Sequence, residues 1–334
     1  MITYLVRRTI LAFFTVFSIS VIAFTMIQLP AGDYADIYIA SLTGAGQRTG
    51  MLSPEDAAEV EEVLRAKWGL DRPLVVQYWG WASRMVVGDF GQSLDQRRPV
   101  IEVIGDRIVL TVALAFTTVV LTWVMALPIG IYSAVRQNSV GDYVFTFVGF
   151  IGLATPDFLL ALILLWISFA VFDFSVGGLF SRQYVNAPWS MAKVWDLFQH
   201  MWIPAVVLGT SGTAGLIRVL RANLLDELRK PYVVTARAKG LPEWKVILKY
   251  PLRVALNPMV STIGYILPAL VSGSVIVSVV LSLPTLGPIL LNSLFTQDML
   301  MAATIVLLLG TMTVVGTLLS DLLLVIVDPR IKLG

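Results

Sequence analysis

The chain contains no cysteine and only one histidine, His200. Without thiols it can form neither a disulfide framework nor a thiolate metal or redox site, and a lone imidazole argues against zinc chemistry. Charge is also scarce: Asp, Glu, Lys and Arg make up 14% of the 334 residues, against 57% hydrophobic residues. With a mean hydropathy of +0.81 the solvent for most of the chain is lipid, because a water-soluble domain could not carry so much apolar surface. No Gly-x-x-x-x-Gly-Lys-Ser/Thr segment occurs, so the loop whose backbone amides cradle ATP phosphates is missing. Nor can a nucleophile, a base and an orienting group be assembled from one histidine and scattered carboxylates, which weighs against a membrane enzyme. No internal repeat is evident, and no nucleic-acid partner is expected.

What is abundant is long apolar sequence. A helix rises about 1.5 Å per residue, so crossing the hydrocarbon core takes about 20 apolar residues, with every backbone N–H and C=O paired internally. Runs of that kind cover Thr9 to Leu29, Ile108 to Val135, and Tyr143 to Phe172 with only Asp157 interrupting. Three more cover about Met201 to Leu220, Pro258 to Leu281, and Leu300 to Val327 with Asp321 inside. They predict an all-α integral membrane protein with six transmembrane helices. Basic residues collect on the cytoplasmic side of a membrane protein. With the N-terminus inside, the inner segments hold Arg7, Arg8, Arg136, the basic residues between Arg218 and Arg253, Arg330 and Lys332. Their acids are only Asp142, Asp226, Glu227, Glu243 and Asp328. Both termini are therefore expected in the cytoplasm. A cleaved signal peptide is the alternative for the start, but the apolar run is long enough to span and Gln28-Leu29-Pro30 offers no small-x-small cleavage pattern.

These signals divide the chain into an N-terminal segment with the first helix (1–30), an extracytoplasmic helical loop (31–106) and a core transmembrane domain (107–334). Within the loop, Ser53-Pro54-Glu55-Asp56 has the hydroxyl, proline and acids that start a helix, which should stop near Gly69. Pro73 to Val87, with Tyr78, Trp79 and Trp81, suits a helix lying in the membrane interface, broken by Gly88-Asp89-Phe90-Gly91. Asp173 to Gln199 reads as an outer segment on the membrane surface or as a plain connector. Leu283 to Pro288 must turn, after which Ile289 to Phe295 can form a short interfacial helix. His200 reads as a solvated interfacial imidazole. Gly209, Gly212 and Gly215 suit close helix packing or a moving hinge. Asp157 and Asp321 are either pathway residues or buried polar groups; Asp157 after Pro156 can also cap a restarted helix, and Asp321 can bond a neighbouring helix.

Pro231 to Asn257 carries the clearest punctuation in the core domain. Pro231 suits the first position of a short helix, Gly240 the left-handed residue that ends it, and Pro242 the start of a second helix running to about Leu256. This predicts a helix-turn-helix at 231–256 projecting into the cytoplasm. Small side chains at Ala236 and Ala238 would let a partner approach, while Arg237, Lys239, Lys245, Lys249 and Arg253 make the outside positive. On the residues alone the hairpin serves equally as a docking element or as a surface loop holding anionic lipid.

The run Thr235-Ala-Arg-Ala-Lys-Gly240-Leu resembles the cytoplasmic EAA loop of ABC importer permeases, in the form of the dipeptide, oligopeptide and nickel subfamily. Thr235 stands where the general pattern has glutamate, and Tyr250-Pro251-Leu252-Arg253 replaces its Ile-x-Leu-Pro ending; both departures are usual for the peptide-type branch. Tyr4-Leu-Val-Arg-Arg8, Gly69-Leu-Asp-Arg-Pro73 with Gln77-Tyr78, Gly88-Asp-Phe-Gly-Gln-Ser93, Pro284-Thr-Leu-Gly287 and Asp328-Pro-Arg-Ile331 also resemble the first permease subunit of that subfamily. The likeness thus covers essentially the whole chain. It implies a type I ABC importer transmembrane domain in a bacterial inner membrane, with no catalytic residue, metal or cofactor of its own. ATP and Mg would be bound by two partner ATPase subunits. A second homologous permease and an extracytoplasmic substrate-binding protein would complete the assembly, surrounded by membrane lipid. Tyr232, Thr235, Ala236, Arg237, Ala238, Lys239, Gly240 and Leu241 would form the ATPase-docking coupling loop. Peptides are the implied substrate, with oligosaccharides, opines and nickel complexes as alternatives; a secondary transporter or channel is the rival of a different class.

Overall fold

The computed structural model describes residues 2–28, 35–36, 39, 54–172, 177–263 and 275–327. Among them regular structure is helical, apart from one isolated bridge between Gln92 and Pro99. Two compact units are present. One comprises Leu110–Thr285 with both chain ends, and the other Arg7–Val109 with Leu286–Thr311.

Among the described residues four helices are long and apolar enough to cross a membrane: α1 (Ile2–Ile27), α4 (Val100–Val135), α7 (Met191–Leu228) and α13 (Met299–Val327). The third expected span differs from its reading as one run. It is two helices, α5 (Val140–Ala154) and α6 (Asp157–Phe172), bent by 104°. Pro156 is the cause, since it lacks an N–H and pushes Thr155 to extended geometry (φ −83°, ψ 123°). Of the expected span 258–281, residues 257–263 and α11 (Val275–Val280) are helical, while 264–274 lie outside the described residues.

In the first unit, α4 and α7 approach closely. A methyl placed on Gly130 would come 2.9 Å from Leu220 Cδ2, and one on Gly209 would come 2.9 Å from Thr122 Oγ1. Gly209 thus has the packing role expected of it, whereas a methyl on Gly215 would meet nothing within 4 Å. Residues 177–190 fold back on the start of α7. Ser181 donates to Asp196 through N (2.8 Å) and Oγ (2.5 Å). Lys193 Nζ donates to Ala187 O at 2.6 Å and lies over the Phe180 and Trp189 rings at 4.9 and 5.2 Å. His200 is 2% exposed and its Nδ1–H donates to Asp196 O at 2.8 Å. The expectation of a solvated imidazole is therefore corrected: α7 starts ten residues earlier than its apolar run, so His200 lies buried within the helix and not at its outer edge.

The second unit contains α2 (Pro54–Trp68), α3 (Leu74–Val86), α12 (Leu286–Phe295) and the parts of α1, α4 and α13 that fall within it. Its core joins Phe24, Trp81, Met299, Ala302, Ala303 and Leu307. Phe24 stacks on Trp81 at 5.6 Å, and Ser20 Oγ is 2.8 Å from Tyr78 OH. Asp298 begins α13: its Oδ1 accepts from Met301 N at 3.3 Å and its Oδ2 from Ser93 Oγ at 2.5 Å. Burial pushes the Asp298 carboxyl above its usual range.

Candidate functional site

The hairpin that follows α7 is built from α8 (Pro231–Ala238), α9 (Glu243–Lys249) and α10 (Pro251–Ala255). Pro231 occupies the first turn of α8, and Gly240 adopts φ +75° in the turn to α9. A methyl on Gly240 would meet nothing within 4 Å, so its need for glycine is conformational and not a matter of space within this chain. The second arm departs from a single helix to Leu256. It breaks at Tyr250 (φ −114°, ψ −79°), because Pro251 cannot donate to the ladder and crowds the residue before it.

The two arms close on a small core of their own. Val233 and Val246 are 0% exposed and Ala236 is 5% exposed, with Leu241 and Tyr250 packed beside them. Arg237 clasps Glu243 across the turn, Nη2 to Oε1 at 2.6 Å and Nε to Oε2 at 3.0 Å. Those hydrogen bonds hold the Glu243 carboxyl below its usual range and raise Arg237. Two expectations are corrected here. Ala236 faces inward and completes the hairpin core, because a 3.6-residue period puts it beside Val233. Arg237 is neutralised by Glu243 and adds little to the outer charge.

The outer surface of the first arm and turn includes Tyr232, Val234, Thr235, Ala238, Lys239 and Gly240, with Arg237 exposed but paired to Glu243. Tyr232 donates to Glu227 on the last turn of α7, and Thr235 Oγ1 donates to Pro231 O at 3.0 Å. On the second arm Trp244 (61% exposed) and Leu248 (49%) stand among Lys245, Lys249 and Arg253, lining with Leu241 a groove of about 410 Å³. Lys239, Lys245, Lys249 and Arg253 form no ion pair among the described residues.

The hairpin is bedded on α7. Leu252 and Ala255 of α10, together with Met259, pack against Leu216, Leu220 and Leu224 of α7 and Ala126 and Ala134 of α4. One turn away is a pair that charge counting did not reveal. Arg221 clasps Asp142 in two parallel bonds, Nε to Oδ1 at 2.9 Å and Nη2 to Oδ2 at 2.8 Å. Asn138 N adds a third donor to Asp142 at 3.0 Å, with Asn138 itself at φ +62°. The Asp142 side chain is 3% exposed. The partners lie 79 residues apart, and the only sequence signal was an arginine at the end of an apolar run.

Asp157 and Asp321 are not brought to the hairpin. Asp157 stands half-buried in the first turn of α6, where a carboxylate favours the positive end of the helix dipole. Asp321 is half-buried on α13, next to Ser320, whose Oγ donates to Val260 O at 2.6 Å. Among the described residues no group of three or more His, Cys, Asp or Glu could hold a metal.

Comparison with known proteins bears on what such a hairpin serves. Residues 126–333 match the model of the family described as binding-protein-dependent transport system inner membrane component, and residues 1–115 match its N-terminal companion. The chain is 35% identical over 336 residues to the oligopeptide transport system permease protein AppB of Bacillus subtilis, covering 99% of this chain and 100% of that one. It is 33% identical to the putative peptide permease protein BOV_A0351 of Brucella ovis, and 31% identical to the glutathione transport system permease protein GsiC of Escherichia coli K12. Each of those alignments covers 99% of both chains.

Proposed function

Because this chain belongs to the family of binding-protein-dependent transport system inner membrane components, we propose that it is the permease subunit of an ABC importer whose substrates are peptides. It forms one half of the translocation pathway beside a second homologous permease. An extracytoplasmic binding protein delivers the substrate, and two ATPase subunits on the cytoplasmic side hold ATP and Mg. Both chain ends lie in the cytoplasm, consistent with the surplus of basic residues on the segments that hold them. Peptide specificity is supported by the relatives, of which AppB is named an oligopeptide permease, the Brucella protein a putative peptide permease and GsiC a permease for glutathione, itself a short peptide.

The observation that carries the coupling role is a self-supporting basic hairpin seated directly on the end of α7. Tyr232, Thr235, Ala238, Lys239 and Gly240 present the docking surface, while Ala236, Arg237 and Leu241 keep its shape. Closure of the ATPase pair pulls on this hairpin and rocks α7 with the segment after α10, switching the pathway between inward and outward access. Asp321 is the charged candidate for lining it, whereas Asp157 serves the start of α6. Purification of the tagged chain in mild detergent tests the reading, since two ATPase subunits should copurify from a strain expressing the whole system. A secondary transporter or channel would come through alone.

A further inference from the structure

The second unit holds a cavity of about 720 Å³ that the transport role does not use. It opens where two candidate spans end: Phe24 and Gln28 from the end of α1 and Met299 from the start of α13 line it, facing α3 and the 89–99 loop. Such a place lies at the level of lipid headgroups. The outer face of α3 is suited to acyl chains, with Val75 67%, Trp79 58% and Val86 85% exposed, and Val87 just after the helix 80%. The lining of the cavity itself is mixed, with charged side chains set among apolar ones. Arg72 and Arg84 both line it and neither has an ion-pair partner among the described residues; Arg84 uses only Nε, donating to Gly80 O at 3.0 Å. Asp89 also lines it, one carboxylate oxygen accepting from Gly91 N at 2.9 Å and the other without a hydrogen bond among the described residues. Trp81, 2% exposed, keeps its indole Nε1 buried with no hydrogen-bond partner among the described residues, and a buried orphan donor is uncommon.

We propose that this cavity binds one phospholipid headgroup bearing a primary amine, of the phosphatidylethanolamine type. Two guanidiniums match the phosphodiester, since planar forked donors pair with phosphate oxygens in two parallel bonds. One carboxylate matches the ammonium, and a purely anionic headgroup would meet Asp89 as a like charge. Free inorganic phosphate shares the first half of that chemistry but neither the amine nor the acyl chains. The orientation proposed above places the leaflet on the extracytoplasmic side; the match of site to headgroup stands without it.

The test uses the complete importer, purified in mild detergent, stripped of lipid and titrated with dihexanoyl phosphatidylethanolamine under native mass spectrometry. Two variants are compared with the unaltered chain. Arg72→Ala/Arg84→Ala removes the phosphate donors. Gly80→Trp fills the cavity, because Gly80 lines it and a Cβ there meets nothing within 4 Å. The unaltered complex should hold one such lipid at least about tenfold more tightly than either variant, as expected for the loss of a charged hydrogen-bonded pair. Copurifying ATPase subunits at unchanged ratio show that each variant still assembles; should one fail to, the other decides the question. Equal lipid binding by the unaltered chain and an assembled variant overturns the site. Equal binding of dihexanoyl phosphatidylglycerol overturns the amine, and full displacement by inorganic phosphate at the same concentration overturns the lipid.

Discussion

Replacing Gly240 is the sharpest perturbation of the proposed coupling role, because the structure separates its two possible effects. The residue is exposed, its φ is +75°, and a methyl group there would touch nothing in the chain. A substituted side chain therefore causes no clash within the hairpin and acts only through backbone strain. Left-handed geometry costs an ordinary L-residue about 1–2 kcal/mol, with β-branched side chains at the upper end and asparagine well below it. Against this stand the hairpin's own contacts. Burying Val233 and Val246 contributes at most about 1.5–3 kcal/mol each. The Arg237–Glu243 pair, with side chains 42% and 51% exposed, adds no more than about 1 kcal/mol. A strain of about 2 kcal/mol is thus a large share of the local stabilisation and shifts the closed-to-open ratio of the turn about thirtyfold.

Gly240→Val should accordingly abolish ATP-driven uptake in proteoliposomes while leaving the permease inserted and monodisperse. Gly240→Asn should keep most uptake. If both lose uptake equally, an ATPase surface presses on position 240 itself and the side chain is excluded by the partner. Normal uptake by the valine variant would refute the coupling argument outright.

Other consequences follow from the same geometry. Asp142→Asn or Arg221→Met leaves one partner of a mostly buried clasp unmatched, at about 3–5 kcal/mol. Either should lower Tm by about 10 °C in differential scanning fluorimetry, and the double variant Asp142→Asn/Arg221→Met should recover much of the loss. Gly209→Ala places a methyl 2.9 Å from Thr122 Oγ1 and should slow uptake, with Thr122→Ala/Gly209→Ala restoring it. Asp298, raised by burial, binds its proton more tightly folded than unfolded, so its contribution is full below the ordinary carboxylate value and lost as pH rises through its folded value. Asp298→Asn should therefore flatten the fall of Tm over that window, seen in melts collected from about pH 4 upward. Asp157→Asn should cost less than about 1 kcal/mol as a helix-start change and leave the ratio of cationic to neutral peptide uptake unchanged; a selective drop for cationic peptides would put Asp157 on the pathway.

Local chemistry was legible in the sequence wherever one residue dictates a backbone state. Pro54 and Gly69 bracket α2, Pro156 restarts a helix at Asp157, and Pro231 with Gly240 frames the first arm of the hairpin, because each fixes or frees φ without help from a neighbour. Apolar runs located the long helices but not their ends. The run in α7 begins near Met201, yet its helix begins at Met191, since those extra turns are paid for by contacts with 177–190 that no window of hydropathy contains. The 104° bend was hidden for a related reason: lipid-compatible composition continues unbroken across Pro156. In the candidate site, the residues facing outward and inward could not be separated until Val246 was placed against Val233, and the Arg221–Asp142 clasp joins positions that only the tertiary fold brings together.

That clasp also decides how force from the hairpin can travel. α7 has 38 residues, a rise of about 57 Å, and so outruns a hydrocarbon core of about 30 Å at both ends. Its polar ties sit at those ends: Asp196 and Lys193 hold the 177–190 cap, while Arg221 holds Asp142 and Glu227 accepts from Tyr232. Between them the contacts are close, glycine against threonine at Gly209 and Thr122, with no charged pair among the described residues. If the hairpin is the coupling element, a pull at Tyr232 would pass through Glu227 to Leu224 and Arg221 within two turns, and through Arg221 to Asp142 at the start of α5. On the proposed coupling role, motion of α7 would therefore draw the first half of the bent pair with it. Cutting the clasp while keeping the fold, as the double neutral variant does, should accordingly leave ATP hydrolysis running with uptake reduced.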